Sequence, residues 1–183
     1  MSEAPRHRLP GDRSLDEEVA RMLRVDHAGE YGATRIYQGQ LDVLGRRRAT
    51  AAIRQMAEAE ERHLARFETL LHERRVRPTL LHPVWTVAGY AVGAATALMG
   101  ERAAMACTVA VEEVIDEHYR SQAEELGDDD PTLRGAILSS HADEVAHRDL
   151  AIAQGAKESM GYDLIGAVAK TGSRLAICLS TRF

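Results

Sequence analysis

The sequence predicts an all-α protein, a four-helix bundle carrying two additional helices. Three observations predict it. The composition favours helix: Ala, Leu, Glu and Arg are plentiful, while aromatic residues make up 4%, too few for the side-chain pairs that hold sheets together. Apolar residues recur with a helical period through four long segments, separated by Gly- and Pro-bearing breaks. Two of those segments carry a glutamate followed three places later by a histidine, Glu60/His63 and Glu144/His147, and the segment before each carries one more inward glutamate, Glu30 and Glu112.

The elements follow in order. Residues 1–14 are polar and contain Pro5, Pro10 and Gly11, and read as a loose tail. Ser14 with Glu17 three places on is a capping-box pattern, so the first helix starts there and runs to about Leu44. Its apolar stripe, Leu23, His27, Ala33, Tyr37 and Leu41, includes Glu30. Gly45 ends it. The second helix spans about Ala49–Arg75, with Glu60 and His63 on the stripe of Ile53, Met56, Phe67 and Leu70. Residues 76–99 form an apolar crossover. Pro78 breaks the helix, and an uncharged run from Val84 to Met99 follows, too short for a confident membrane span, which needs about 20 apolar residues. It reads as a buried connector helix, as a segment lying on a bilayer, or as both. The third long helix covers about Glu101–Leu126, Gly127–Pro131 turns the chain, and the fourth runs from Pro131 to about Lys157. A last helix over 162–180 is amphipathic and basic, suited to dock on the bundle or on lipid. The tail aside, residues 15–183 read as one domain, built from hairpins 15–75 and 101–157.

The charge and cysteine content narrow the function. A net charge of −5 argues against nucleic acid as a partner. Two isolated cysteines, Cys107 and Cys178, make neither a disulfide framework nor a thiolate metal site. No basic-then-apolar leader opens the chain.

Register is what turns the Glu and His residues into a site. In an antiparallel hairpin, residues equidistant from the turn lie level. Glu30 and Glu60 are equidistant from Gly45, and Glu112 and Glu144 from position 128, inside the second turn. Both halves therefore bring Glu plus Glu-x-x-His to one height, which is the ligand pattern of a dinuclear metal site in a helix bundle. Buried carboxylates repel one another unless cations pair them, and four of them balance two divalent ions. Oxygen-rich ligands with one nitrogen per ion suit iron or manganese. The predicted ligands are Glu30, Glu60, His63, Glu112, Glu144 and His147. Glu112 is preferred to Glu113 because it shares a stripe with Met105, Val109 and Tyr119. Glu113, Glu58 and Glu61 read as helix surface. His118 and Tyr119 are candidates for the lining of a substrate pocket, Tyr119 standing on the ligand face. Asp143 is placed either to orient His63 or on the surface. His27 either touches the site or is a packed, hydrogen-bonded histidine. His141 reads as helix surface or pocket edge, and Cys107 as small-residue packing.

The segments Arg24-Val-Asp-His-Ala-Gly-Glu30-Tyr-Gly-Ala, Val76-Arg-Pro-Thr79, Ala104 to Glu113 and Arg174 to Ser180 resemble the demethoxyubiquinone hydroxylase family of ubiquinone biosynthesis. The resemblance covers about residues 20–183. It implies a ferritin-like di-iron monooxygenase that uses O2 to hydroxylate the ring of a polyprenylated methoxy-benzoquinol. The family's metal ligands fall on the six residues named above, and its His-Tyr pair on His118 and Tyr119. It further implies two Fe ions as cofactor, NADH or the quinol itself as reductant, a membrane surface as partner, and in some lineages an accessory lipid-binding protein. The absence of a long presequence points to a bacterial member on the cytoplasmic side of the inner membrane. Homo-oligomerisation stays open. The alternative is a ferritin-type iron oxidation and storage protein.

Overall fold

A computed structural model describes residues 11–182. Among the described residues there are six α-helices, α1 (Leu15–Leu44), α2 (Thr50–Glu73), α3 (His82–Leu98), α4 (Glu101–Leu126), α5 (Pro131–Ala153) and α6 (Tyr162–Ser180), with one 3₁₀ turn at Ala156–Glu158. Among the described residues there is no strand. Most of the tail, residues 1–10, lies outside the described residues.

The ends of the helices follow local chemistry. The capping box forms: Ser14 Oγ accepts from the Glu17 amide at 3.3 Å, and Glu17 Oε2 accepts from the Ser14 amide at 2.8 Å. Gly45 and Gly127 close α1 and α4 with positive φ of 61° and 51°, a conformation costly for any residue with a Cβ. Asp130 caps α5 by accepting from the Leu133 amide at 3.0 Å, and the same carboxylate takes both Nη atoms of Arg74, tying the start of α5 to the end of α2. Glu101 of α4 accepts from the Ala49 amide at 2.9 Å and so supplies the N-terminus of α2 with the partner its own cap lacks. Two expected boundaries move. The fourth long helix stops at Ala153 rather than near Lys157, because Gly155 turns left-handed at φ 89° and the next residues wind as 3₁₀. The crossover helix begins at His82, with Pro83 in its first turn, where a missing amide hydrogen costs nothing.

Helices α1 and α2 pair, as do α4 and α5, and the two hairpins face each other as a four-helix bundle. Its core divides in two. One apolar cluster, with Met22, Leu23, Phe67, Leu133 and Ile137, fills the end where α1 begins and α2 ends. The other, with Tyr37, Ile53, Met56, Met105 and Val109, fills the opposite end. The six predicted ligands lie between them along the chain of each helix, so the polar middle of the bundle is plugged by hydrocarbon on both sides.

The two additional helices cover one side of the bundle. α3 runs against α1 at unusually close range: a Cβ built on Gly93 would stand 2.0 Å from the Ile36 carbonyl oxygen, and one on Gly39 would stand 2.3 Å from that of Tyr90. Gly89 and Gly93, four apart on α3, therefore form the small-residue seam that lets two helix backbones touch. α6 packs on the small-residue face of α4, with Ile165 and Ala169 against Ala103, Ala106, Cys107 and Ala110. Cys107 is thus a packing residue, and burial pushes its thiol up to about 12. Trp85 Nε1 donates to Ser180 Oγ at 3.1 Å and joins α3 to α6. The outer faces of both helices are apolar and open: Val87 is 71% and Leu98 77% exposed on the α3 side, and Leu164 is 70% and Val168 63% exposed on α6. No helix among the described residues is long and apolar enough to cross a membrane.

Candidate metal centre

The structure brings all six predicted ligands together. Glu30 comes from α1, Glu60 and His63 from α2, Glu112 from α4, and Glu144 and His147 from α5, and all are buried. They form two overlapping groups. In one, Glu30, Glu60, His63 and Glu144 present ligand atoms that all lie within 4.8 Å of one another; in the other, Glu60, Glu112, Glu144 and His147 do the same. Glu60 and Glu144 belong to both. Each group could hold one cation, with one carboxylate and one imidazole of its own and with Glu60 and Glu144 available to both.

Both histidines turn Nδ1 inward. His63 Nδ1 stands 3.3 Å from Glu144 and 3.5 Å from Glu30, and His147 Nδ1 stands 3.1 Å from Glu60 and 3.3 Å from Glu144. His63 Nε2 lies 2.9 Å from Asp143 Oδ2. With Nε2–H donated to that carboxylate, Nδ1 is turned toward the centre, where a metal ion would take its lone pair in place of a proton. Two tyrosines hold the outer carboxylates: Tyr37 Oη donates to Glu112 Oε1 at 2.6 Å, and Tyr119 Oη donates to Glu30 Oε1.

The electrostatics show what this cluster lacks. Burial, and then the neighbouring carboxylates, push Glu60 and Glu112 well above the usual carboxylate range. Glu30 is raised too, first by burial. Burial also pushes Glu144 upward, but His147 and His63 overcome it and pull that carboxyl down to about 2. His63 is lifted to about 10, because its contacts with Glu144 and Glu30 outweigh the burial that lowers it. Both tyrosine hydroxyls rise, chiefly through burial, with Glu112 acting next on Tyr37 and Glu30 on Tyr119. The cluster thus holds protons where cations would stand. Both oxygens of Glu60 and of Glu144, one of Glu112, and Nδ1 of both histidines have no hydrogen-bond partner although buried. Such groups are rare unless something binds them, and two divalent cations would engage every one. The donor set fits the pair of metal ions the sequence suggested.

The chain matches the family model described as Ubiquinone biosynthesis protein COQ7 over residues 17–180. It belongs to that family. It is similar to 3-demethoxyubiquinol 3-hydroxylase of Rhodospirillum rubrum, 52% identical over 96% of this chain and 83% of the relative. It is also similar to the mitochondrial NADPH-dependent 3-demethoxyubiquinone 3-hydroxylases of Dictyostelium discoideum, 47% identical over 90% of this chain and 77% of the relative, and of Homo sapiens, 45% identical with the same coverage.

The remaining candidates separate. Tyr119 reaches the centre through Glu30. His118 points its Nε2 toward Asp26 instead, 3.3 Å from Oδ1. Asp143 contacts His63 while its side chain stays 53% exposed. His27 packs against His82, with His27 Nδ1 3.3 Å from His82 Nε2, and its own Nε2 stands 3.8 Å from Glu68. His141 pairs with Asp116 across the α4–α5 surface at 2.5 Å. Glu113 pairs with Lys170 of α6 at 2.5 Å, whereas Glu58 and Glu61 are exposed. Two groups escaped the sequence reading. Tyr37 was visible as a stripe residue, but only its neighbour Glu112 gives its hydroxyl a purpose. Asp26 lies in the segment 24–33 but was given no role, and Gln122 carried no signal, since a buried polar side chain cannot be told from a surface one at a helix position next to the stripe.

Proposed function

We propose that the chain is an O2-dependent monooxygenase that hydroxylates the ring of 3-demethoxyubiquinol, a polyprenylated methoxy-benzoquinol, at a di-iron centre in ubiquinone biosynthesis. The observation that carries this reading is the pair of ligand groups sharing Glu60 and Glu144, in a chain of the COQ7 family. Glu30 and His63 complete one position, and Glu112 and His147 the other. When bound, a pair of ferrous ions supplies the reduction of O2 that no side chain here can perform. The protein supplies the rest. Tyr37 and Tyr119 hold the outer carboxylates in place through their hydroxyls. Asp143 keeps His63 in the tautomer that binds. The two apolar clusters exclude water from the polar middle of the bundle, which strengthens every interaction within it.

The exposed apolar faces of α3 and α6 favour a bilayer partner, which is where a polyprenyl quinol resides. Leu80, Val84, Val87 and Leu98 on one side and Leu164 and Val168 on the other give a surface that lies on lipid without spanning it. The chain is then a peripheral protein of the bacterial inner membrane, facing the cytoplasm. An iron store needs no such surface. The reductant comes from outside the bundle, and NADPH, named for the Dictyostelium and human relatives, is the first to supply.

The test is turnover. Protein loaded with ferrous iron, given a short-chain demethoxyubiquinol, a reductant and ¹⁸O2, is expected to yield the hydroxylated quinol carrying one labelled oxygen. Glu60→Ala and Glu144→Ala are each expected to abolish the product and to lower bound iron. Unlabelled product, or turnover in both variants unchanged from wild type, rejects the reading.

A further inference from the structure

Beside the carboxylate centre lies a second buried polar group that the ligand set does not use. Asp26 sits one turn before Glu30 on α1 and is 1% exposed, and Gln122, one turn after His118 on α4, is 3% exposed. His118 Nε2 stands 3.3 Å from Asp26 Oδ1, while the His118 side chain keeps 18% of its surface open to solvent. Neither oxygen of Asp26, neither amide atom of Gln122, nor His118 Nε2 makes a hydrogen bond. Buried polar atoms left in this state are usually engaged by internal water. Asp26 is also close enough to Tyr119 to help raise its hydroxyl, and Tyr119 donates to Glu30. One end of the cluster therefore faces solvent and the other faces a metal ligand. Arg21, the remaining charged group that acts on Asp26, is held by Glu125 at 3.0 Å.

We propose that His118, Asp26 and Gln122 form the proton inlet of the centre: His118 takes a proton from solvent on one ring nitrogen and gives one from Nε2 to Asp26, and water held by Asp26 and Gln122 passes it toward Tyr119 and Glu30. The inference rests on the hydroxylase reading. Inserting one oxygen of O2 into a ring C–H bond and releasing the other as water takes two electrons and two protons. The reductant supplies the electrons, and the protons must cross an otherwise apolar shell. The relay itself moves H⁺ only: His118 gains one proton from solvent and loses one to Asp26, so it is neutral before and after each transfer, and it resets when its ring proton exchanges back to Nε2 through solvent.

Three measurements test it. In the metal-free protein, ¹³C NMR of the Asp26 carboxyl is expected to show burial holding its titration above the usual carboxylate value and His118→Gln moving it higher still, because His118 opposes burial there more than Gln122 or Arg21 does. An unmoved titration overturns the pairing. A high-resolution crystal structure is expected to show ordered water between Asp26 and Gln122, and a dry cluster overturns the relay. In iron-loaded enzyme, Asp26→Asn and His118→Ala are expected to lower kcat by about 10²-fold, the usual worth of a positioned proton carrier, at unchanged iron content and KM. Asp26→Glu is expected to retain most turnover, and added imidazole to restore His118→Ala. Full kcat in His118→Ala, or a loss that imidazole does not relieve, overturns the proposal. If wild-type protein hydroxylates nothing, the functional reading falls, and the NMR and crystallographic outcomes still decide whether the cluster is a relay.

Discussion

The seam between α1 and α3 makes a sharp prediction at Gly93. A methyl group there would stand 2.0 Å from the Ile36 carbonyl oxygen and 2.8 Å from the carbonyl carbon, whereas ordinary contact begins at 3.4 Å. Gly93→Ala must therefore open the seam by 1.4 Å, the difference between those distances, against backbone that cannot rotate aside. Gly39 makes the reciprocal contact with Tyr90 and Ala94, so the two helices have no free direction in which to slide. Overpacking of this kind costs about 2–3 kcal/mol. For a chain of this size that is a fall in Tm of roughly 4–12 °C. Differential scanning calorimetry of the metal-loaded protein measures it. Gly172→Ala on α6 is the control: nothing lies within 4 Å of its added methyl, so relief of backbone entropy should stabilise the helix by about 0.5–1 kcal/mol. Equal melting temperatures for wild type and Gly93→Ala would refute the argument that backbone contact holds α3 in place.

Other outcomes follow from the site and its surroundings. Asp143→Ala removes the acceptor that orients His63 and should weaken metal binding by about 10–100-fold, read by competition with a chelator, while leaving the fold intact because Asp143 is half exposed. The metal-free protein should lose stability as pH rises. His63, lifted from 6.5 to about 10, contributes stability that is full below pH 6.5 and is lost as pH climbs through 10. Glu60 and Glu112, raised above 4.5, act in the same direction, since the folded state keeps their protons longer than the unfolded chain does. Metal binding displaces those protons, so the gap in Tm between loaded and chelator-treated protein should widen from about pH 6 to about pH 9; a gap that narrows contradicts the assignment of the cluster as a cation site. Val87→Glu combined with Leu164→Glu should release the protein from vesicles in a flotation assay without changing its melting temperature, because both side chains are largely exposed.

Much of this architecture was legible in the sequence, for reasons that can be named. Gly45 and the Gly127–Pro131 turn mark hairpin midpoints, and a helix converts spacing from those midpoints into height. Six residues on four helices could thus be placed level, and the structure brings their side chains together. The choice of Glu112 over Glu113 followed from the stripe each shares, and the structure buries the first and pairs the second with Lys170 at the surface. What stayed hidden depends on side chains meeting across helices. Nothing in the chain ties His118 to Asp26, 92 positions away, or His27 to His82 across the crossover. Likewise the glycine seam is visible only as two residues four apart, a spacing that means little until a partner backbone is found against it. The end of α5 was misplaced by four residues because Lys157 and Glu158 are good helix formers, and the break is set upstream by Gly155.

The double membership of Glu60 and Glu144 has a consequence for how the protein fills. A lone divalent ion would balance two of the four carboxylates and leave protons on the others, and in binding it would strip protons from the shared side chains and fix their rotamers. The next ion then meets a vacancy made ready for it. Occupancy should therefore jump from empty to double, with singly loaded molecules scarce at every intermediate supply of iron.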